Sequence, residues 1–218
     1  MIPVTGTAVY KRSASAAINR IIASAARQNK TSKAKFKAPT HVFQYGMMIC
    51  AADRNCGFML YDQLPGVPVA PFDKDSKTIL VNAMENTVRT NTVSITENMP
   101  SLEEIREYER KYKQADKNGF HSRNGGVPMF LRDELVDTKY LKDILAVLPA
   151  PHVYVNPDSM LKPILFCSRD VGFAVLMPIM PIGAVYGEDD FYSHNKYVNH
   201  PIHPENVFKN KSAIRYAL

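Results

Sequence analysis

Apolar residues fall at helical spacing in three stretches of this chain and cluster in short strand-like runs between them. From Ser13 to Gln28 they occupy Ala14, Ala17, Ile18, Ile21, Ile22 and Ala25, one face of an amphipathic helix. Ser13 stands where an N-cap would, and Arg20 and Arg27 lie off the apolar stripe. His41 to Leu64 reads as strand, turn, strand, with Asp53, Asn55 and Gly57 supplying the turn chemistry. The pattern loosens from Pro65 to Gly126, where Thr78 to Val81 reads as a β-like piece. Within that region Ser101 and Glu104 form a capping box for a helix to Gln114. Its only apolar positions, Leu102, Ile105, Tyr108 and Tyr112, predict light packing on the outside, followed by a mobile loop over residues 117–126. Asp137 caps a third helix, Thr138 to Leu148, whose Tyr140, Leu141, Ile144, Leu145 and Leu148 share one face, with Lys139 and Lys142 outside it. Pro149 and Pro151 end that helix, and Val153 to Val155 reads as a strand.

Lys162 to Ile182 is two apolar runs around a polar turn, a hairpin that ends in Leu-Met-Pro-Ile-Met-Pro. Pro163 opens the first run, where a missing N–H costs nothing, whereas Pro178 and Pro181 require an edge or a place beyond the sheet. The order helix, strands, helix, strands is an internal repeat. It predicts an α+β fold with both helices on one face of an antiparallel sheet.

Charge sharpens this picture. The 218 residues carry 27 Lys plus Arg against 21 Asp plus Glu, a net charge of +6, and no acid at all occurs from Lys11 to Lys37. The asymmetry fits an anionic partner such as nucleic acid, or a merely solvated basic face. Cys50, Cys56 and Cys167 form no CxxC pair and leave one thiol over, which favours a reducing compartment and buried, unreactive roles. No apolar run approaches the roughly 20 residues of a membrane span, and no secretory signal core is evident, so a cytoplasmic protein is expected. Glycine-rich phosphate loops, zinc-protease and nucleophile-elbow motifs are absent. His194, His200 and His203 near Glu188, Asp189 and Asp190 match no metal-ligand spacing. Neither catalysis, a metal nor a cofactor is expected.

The segment VDTKYLKDILAVLPAPHVYVNPDSMLKPILFCSRDVGFAVLMPIM resembles the end of the last domain of the bacterial DNA polymerase sliding clamp. The likeness lies in a short Thr-Lys-Tyr-Leu helix, the strand Val153 to Val155, Pro163 to Phe166, a turn, and Val175 to Ile179. Upstream, the basic helix and the His41 to Leu64 strands follow the family by element order. The resemblance implies one sliding-clamp-like domain over residues 8–182, interrupted by a large insertion at 65–126, with 183–218 as a C-terminal extension. It implies a replication accessory (processivity) protein, of phage or mobile-element type, that binds double-stranded DNA non-specifically through Lys11, Arg12, Arg20, Arg27, Lys30, Lys139 and Lys142. It further implies that Val175, Leu176, Met177, Pro178 and Ile179 line a hydrophobic groove for peptides of a DNA polymerase or other clamp-motif partners. A homo-oligomeric ring is implied too. The competing expectation is a clamp-fold protein-interaction module that forms no ring.

Overall fold

The structure, a computed structural model, describes residues 8–31, 37–70, 74–115, 126–132, 134–158, 162–179, 181–182 and 215–216. The predicted loop at 117–125 and the histidine-bearing tail therefore lie outside the described residues. The fold is mixed α+β, with four helices and one large, mostly antiparallel sheet.

Helix α1 spans Ala8–Thr31 and buries Ala14, Ala17, Ile18, Ile21 and Ala25, the stripe read from the sequence, while Ile22 is partly covered. It starts earlier than the sequence suggests, so Ser13 lies inside the helix rather than capping it. Packing explains the extension: the Tyr10 hydroxyl donates to the Val147 carbonyl at 2.6 Å, anchoring the added turn. At the other end, Asn29 and Ala38 exchange hydrogen bonds of 2.7 and 3.0 Å, and Lys37 Nζ donates to the Asn29 carbonyl.

The region from His41 to Leu64 holds three strands rather than two: β1 Val42–Tyr45, β2 Met48–Ala52 and β3 Cys56–Leu60. The missed turn is Gly46–Met47, where Gly46 adopts φ 58° between the paired Tyr45 and Met48. A glycine at positive φ in the first position of a two-residue loop suits strand twist. Strand β4, Val69–Ala70, runs parallel to β1.

Helix α2, Lys74–Thr90, replaces the strand-like piece expected at Thr78 to Val81. The four β-prone residues there are a short local preference, and the burial of Val81 and Met84 one helical turn apart against the sheet overrides it. Strand β5, Val93–Ser94, and a single 3-10 turn, Thr96–Asn98, lead to α3, Leu102–Ala115. The capping box forms as read, with the Ser101 N–H on Glu104 Oε2 at 2.7 Å and the Glu104 N–H on Ser101 Oγ at 3.2 Å. The light packing expected of α3 is corrected: Ile105, Tyr108 and Tyr112 are buried, and the Tyr108 hydroxyl donates to the Pro128 carbonyl.

A hairpin of β6 Pro128–Leu131 and β7 Glu134–Asp137 runs directly into α4, Thr138–Val147. Asp137 caps α4 by accepting from the Lys139 N–H at 2.8 Å. Strands β8 His152–Val155, β9 Ile164–Ser168 and β10 Gly172–Leu176 follow, the last two forming the expected hairpin. A separate two-stranded pair joins β11 Pro181–Ile182 to β12 Arg215–Tyr216.

The eight strands lie in the order β4-β1-β2-β3-β10-β9-β8-β5. Two units, each a helix followed by a three-stranded meander, thus meet where β3 pairs with β10, Phe58 opposite Ala174. Helices α1 and α4 pack on one another and, with Val42, Ile49, Phe58, Ile164, Phe166 and Leu176, form the main core on one face. The other face holds Phe43, Cys50, Met59 and Val175 beneath α2. Residues 65–126 supply both edge strands and this second cover. Gly172 permits the central pairing: with φ 134° its missing Cβ would stand 2.8 Å from Leu60 Cα and closer still to the Met59 carbonyl.

Candidate nucleic-acid interface

Burying the apolar stripe of α1 turns its opposite side to solvent, and that side is basic because the helix contains no acid. Lys11, Arg12, Arg27 and Lys30 are exposed. Arg12 and Lys30 are separated by five full turns, so they lie in line about 27 Å apart along the axis. Ala16, Asn19 and Ala23, all exposed, fill the surface between them. The result is a face with cations toward both ends and small side chains in the middle.

The other three expected cations sit differently. Arg20 Nε donates to Asp143 Oδ1 at 2.8 Å and Nη2 approaches the same oxygen, which ties α1 to α4. The Asp143 side chain is only 4% exposed, and a buried carboxylate needs such a partner. Lys139 Nζ lies 4.0 Å from Asp143 Oδ2 and 5.5 Å over the Tyr140 ring. Lys142 Nζ donates to Glu109 Oε2 at 2.6 Å, while the Thr138 hydroxyl donates to Glu109 Oε1, also at 2.6 Å, and accepts from the Val127 N–H. These ion pairs hold α1, α3 and α4 together. Four of the seven cations therefore form one open face, and three serve contacts between helices.

The five residues expected to line a groove do not share one surface. Leu176 enters the main core among α1 and α4, whereas Val175 points to the opposite face of the sheet under α2. Met177 is 40% exposed, Pro178 is buried and Ile179 is partly covered. The prolines gain an explanation here. Beyond β10 the Met177 N–H donates to the Asn55 carbonyl and the Ile179 N–H to the Leu135 carbonyl, each at 2.7 Å. Pro178 sits between these donors, at a position where the strand has ended and no donor is used.

A polar cluster that the sequence did not reveal joins α1, the β2–β3 turn and α4. Asp53 Oδ1 accepts from the N–H groups of Asn55 and Cys56 at 2.8 and 2.9 Å. Asp53 Oδ2 accepts from the Tyr140 hydroxyl at 2.5 Å and from Gln28 Nε2 at 3.3 Å. Asn55 Nδ2 also donates to the Tyr140 oxygen, and Gln28 Oε1 accepts the Arg54 N–H at 3.0 Å. Burial raises the Asp53 carboxyl above its ordinary value of 3.8, against the pull of these donors. Burial and the Asp53 charge likewise raise Tyr140. The Asp53-Arg-Asn turn was legible locally, but Gln28 and Tyr140 come from distant positions with no motif to mark them.

The thiols fit buried, unreactive roles. Burial pushes Cys50 up to about 12, with Glu85 adding to it, and raises Cys56 and Cys167 as well, which disfavours the nucleophilic thiolate. Among the described residues no cluster of His, Cys, Asp and Glu could hold a metal ion, and no helix is long and apolar enough to cross a membrane. Comparison with protein-family models, curated proteins and solved structures returned no match to this chain.

Proposed function

We propose that this chain is a sliding-clamp-like replication accessory protein whose helix α1 lies against the backbone of duplex DNA without reading base sequence. The observation that carries the reading is the acid-free outer face of α1, where Lys11, Arg12, Arg27 and Lys30 are exposed and no carboxylate partner is recorded for them among the described residues. Phosphate contacts from such a face give affinity and register but no sequence information, which suits a protein that must move along DNA. The two helix-and-meander units, with both helices on one side of a continuous sheet, support the clamp-like part of the reading. A ring would need several copies of this chain, and light scattering at working concentration tests for them.

The test of the interface is fluorescence anisotropy with a labelled duplex, titrated over a series of salt concentrations. Each phosphate contact removed should flatten the slope of log affinity against log salt by about 0.9. The double substitution Arg12→Gln with Lys30→Gln should therefore weaken binding equally for unrelated sequences. No binding by the parent protein at low salt, or an unchanged slope in the double variant, would sink the proposal.

A second reading, a non-ring module that binds peptides of replication or host proteins, draws on Met177. An exposed, flexible thioether beside the partly covered Ile179 suits an adaptable apolar contact. Only these two of the five expected groove residues are available for it. Titration with a short glutamine-, leucine- and phenylalanine-bearing peptide tests this reading, and binding that survives Met177→Ala would count against it.

A further inference from the structure

We propose that Arg54, at the tip of the β2–β3 turn, is a further phosphate-binding cation of the α1 surface; this rests on reading that surface as a DNA-backbone interface. The inference starts from how the turn is held. Asp53 closes it by accepting the N–H groups of Asn55 and Cys56, an arrangement in which the carboxylate substitutes for a backbone acceptor. Gln28 then grips the turn from α1 at two points, Nε2 to Asp53 Oδ2 at 3.3 Å and Oε1 from the Arg54 N–H at 3.0 Å. Tyr140 of α4 closes the third side through its hydroxyl on Asp53.

The backbone of Arg54 is thereby fixed beside α1, at the residue that follows Arg27 and precedes Lys30 by two positions. The acid next to it does not offset its charge at the surface, because Asp53 is buried and its oxygens receive donors from the turn, Gln28 and Tyr140. Neighbouring Asp143 is likewise engaged by Arg20. The cation row of α1 thus continues from the helix onto a turn belonging to the sheet. A cation held by a rigid turn loses less freedom on meeting a phosphate than one on a mobile loop.

The experiment compares Arg54→Gln, Arg27→Gln and the parent chain on one labelled duplex across a salt series, with thermal unfolding of each. Arg54→Gln should flatten the salt slope by about 0.9, as Arg27→Gln should, while melting near the parent temperature. A third variant, Gln28→Leu, keeps every charge but releases the turn. It should lower affinity with little change in slope. If Arg27→Gln flattens the slope and Arg54→Gln does not, the assignment of Arg54 is overturned and the α1 interface stands. A lower melting temperature with an unchanged slope for Arg54→Gln would give Arg54 a structural role only and overturn the assignment in the same way. If the parent shows no binding, or neither arginine affects the slope, the interface itself fails and the assignment with it.

Discussion

Adjacent residues at the end of β10 should respond oppositely to truncation, because the strand ends between them. Leu176 has no exposed surface, and its cross-strand partners Cys56 and Ile164 are themselves buried. Leu176→Ala removes about three carbons, worth ~2.4 kcal/mol in transfer free energy at ~0.8 each. The space left behind is walled by β3, β9 and the helices of the main core, elements whose backbones are tied by their own hydrogen bonds, so little collapse is expected. With the cavity included, the cost should reach about 4 kcal/mol. Met177, at 40% exposure, should lose no more than about 0.5 kcal/mol on truncation to alanine. The assay is urea unfolding followed by far-ultraviolet circular dichroism, since the chain has no tryptophan. For a slope of about 2–3 kcal/mol per molar, Leu176→Ala should move the midpoint down by ~1.5 M and Met177→Ala by ~0.2 M. Comparable shifts in the two variants would refute the placement of the strand end. It would also reopen the case for a continuous five-residue groove.

Other consequences can be tested in the same assay. Gly172→Ala should prevent folding or destabilise severely, since its new methyl meets the backbone of Met59 and Leu60, whereas Gly46→Ala, with nothing within 4 Å, should lose only about 1–2 kcal/mol from its left-handed conformation; equal effects would contradict the register of β3 and β10. Thr138→Val leaves the buried Glu109 carboxylate and the Val127 N–H each short of a partner and should cost about 1–3 kcal/mol, a value that a neutral result would overturn. Because Asp53 has a folded pKa raised above 3.8, folding favours its protonated form, and that contribution is complete below 3.8 and lost as pH rises through the folded value. The stability of the parent relative to Asp53→Asn should therefore fall across that window; a rise would mean that the donors around Asp53 outweigh its burial.

Sequence alone determined the elements whose identity is written in a repeating local pattern. The stripe from Ala14 to Ala25 has to be covered whatever lies opposite it, the Ser101–Glu104 box and the Asp137 cap close within three residues, and the Ile164 to Leu176 hairpin announces itself by two apolar runs around a polar turn. The absence of acids in α1 was equally plain, so the basic character of its outer face could be read before any fold was known. Tertiary structure decided what depended on partners far along the chain. Thr78 to Val81 is locally as suited to a strand as to a helix, and burial against the second face of the sheet selected the helix. Arg20, Lys139 and Lys142 are indistinguishable in sequence from Arg12 and Arg27, yet Asp143 and Glu109 stand beside them only because α1, α3 and α4 pack together. Val175 and Leu176 were separated by the pleat of the sheet, which sends successive side chains to opposite faces. The Asp53, Gln28 and Tyr140 cluster belongs to the same class, since a hydrogen bond between residues so distant in sequence leaves no periodic trace in either segment.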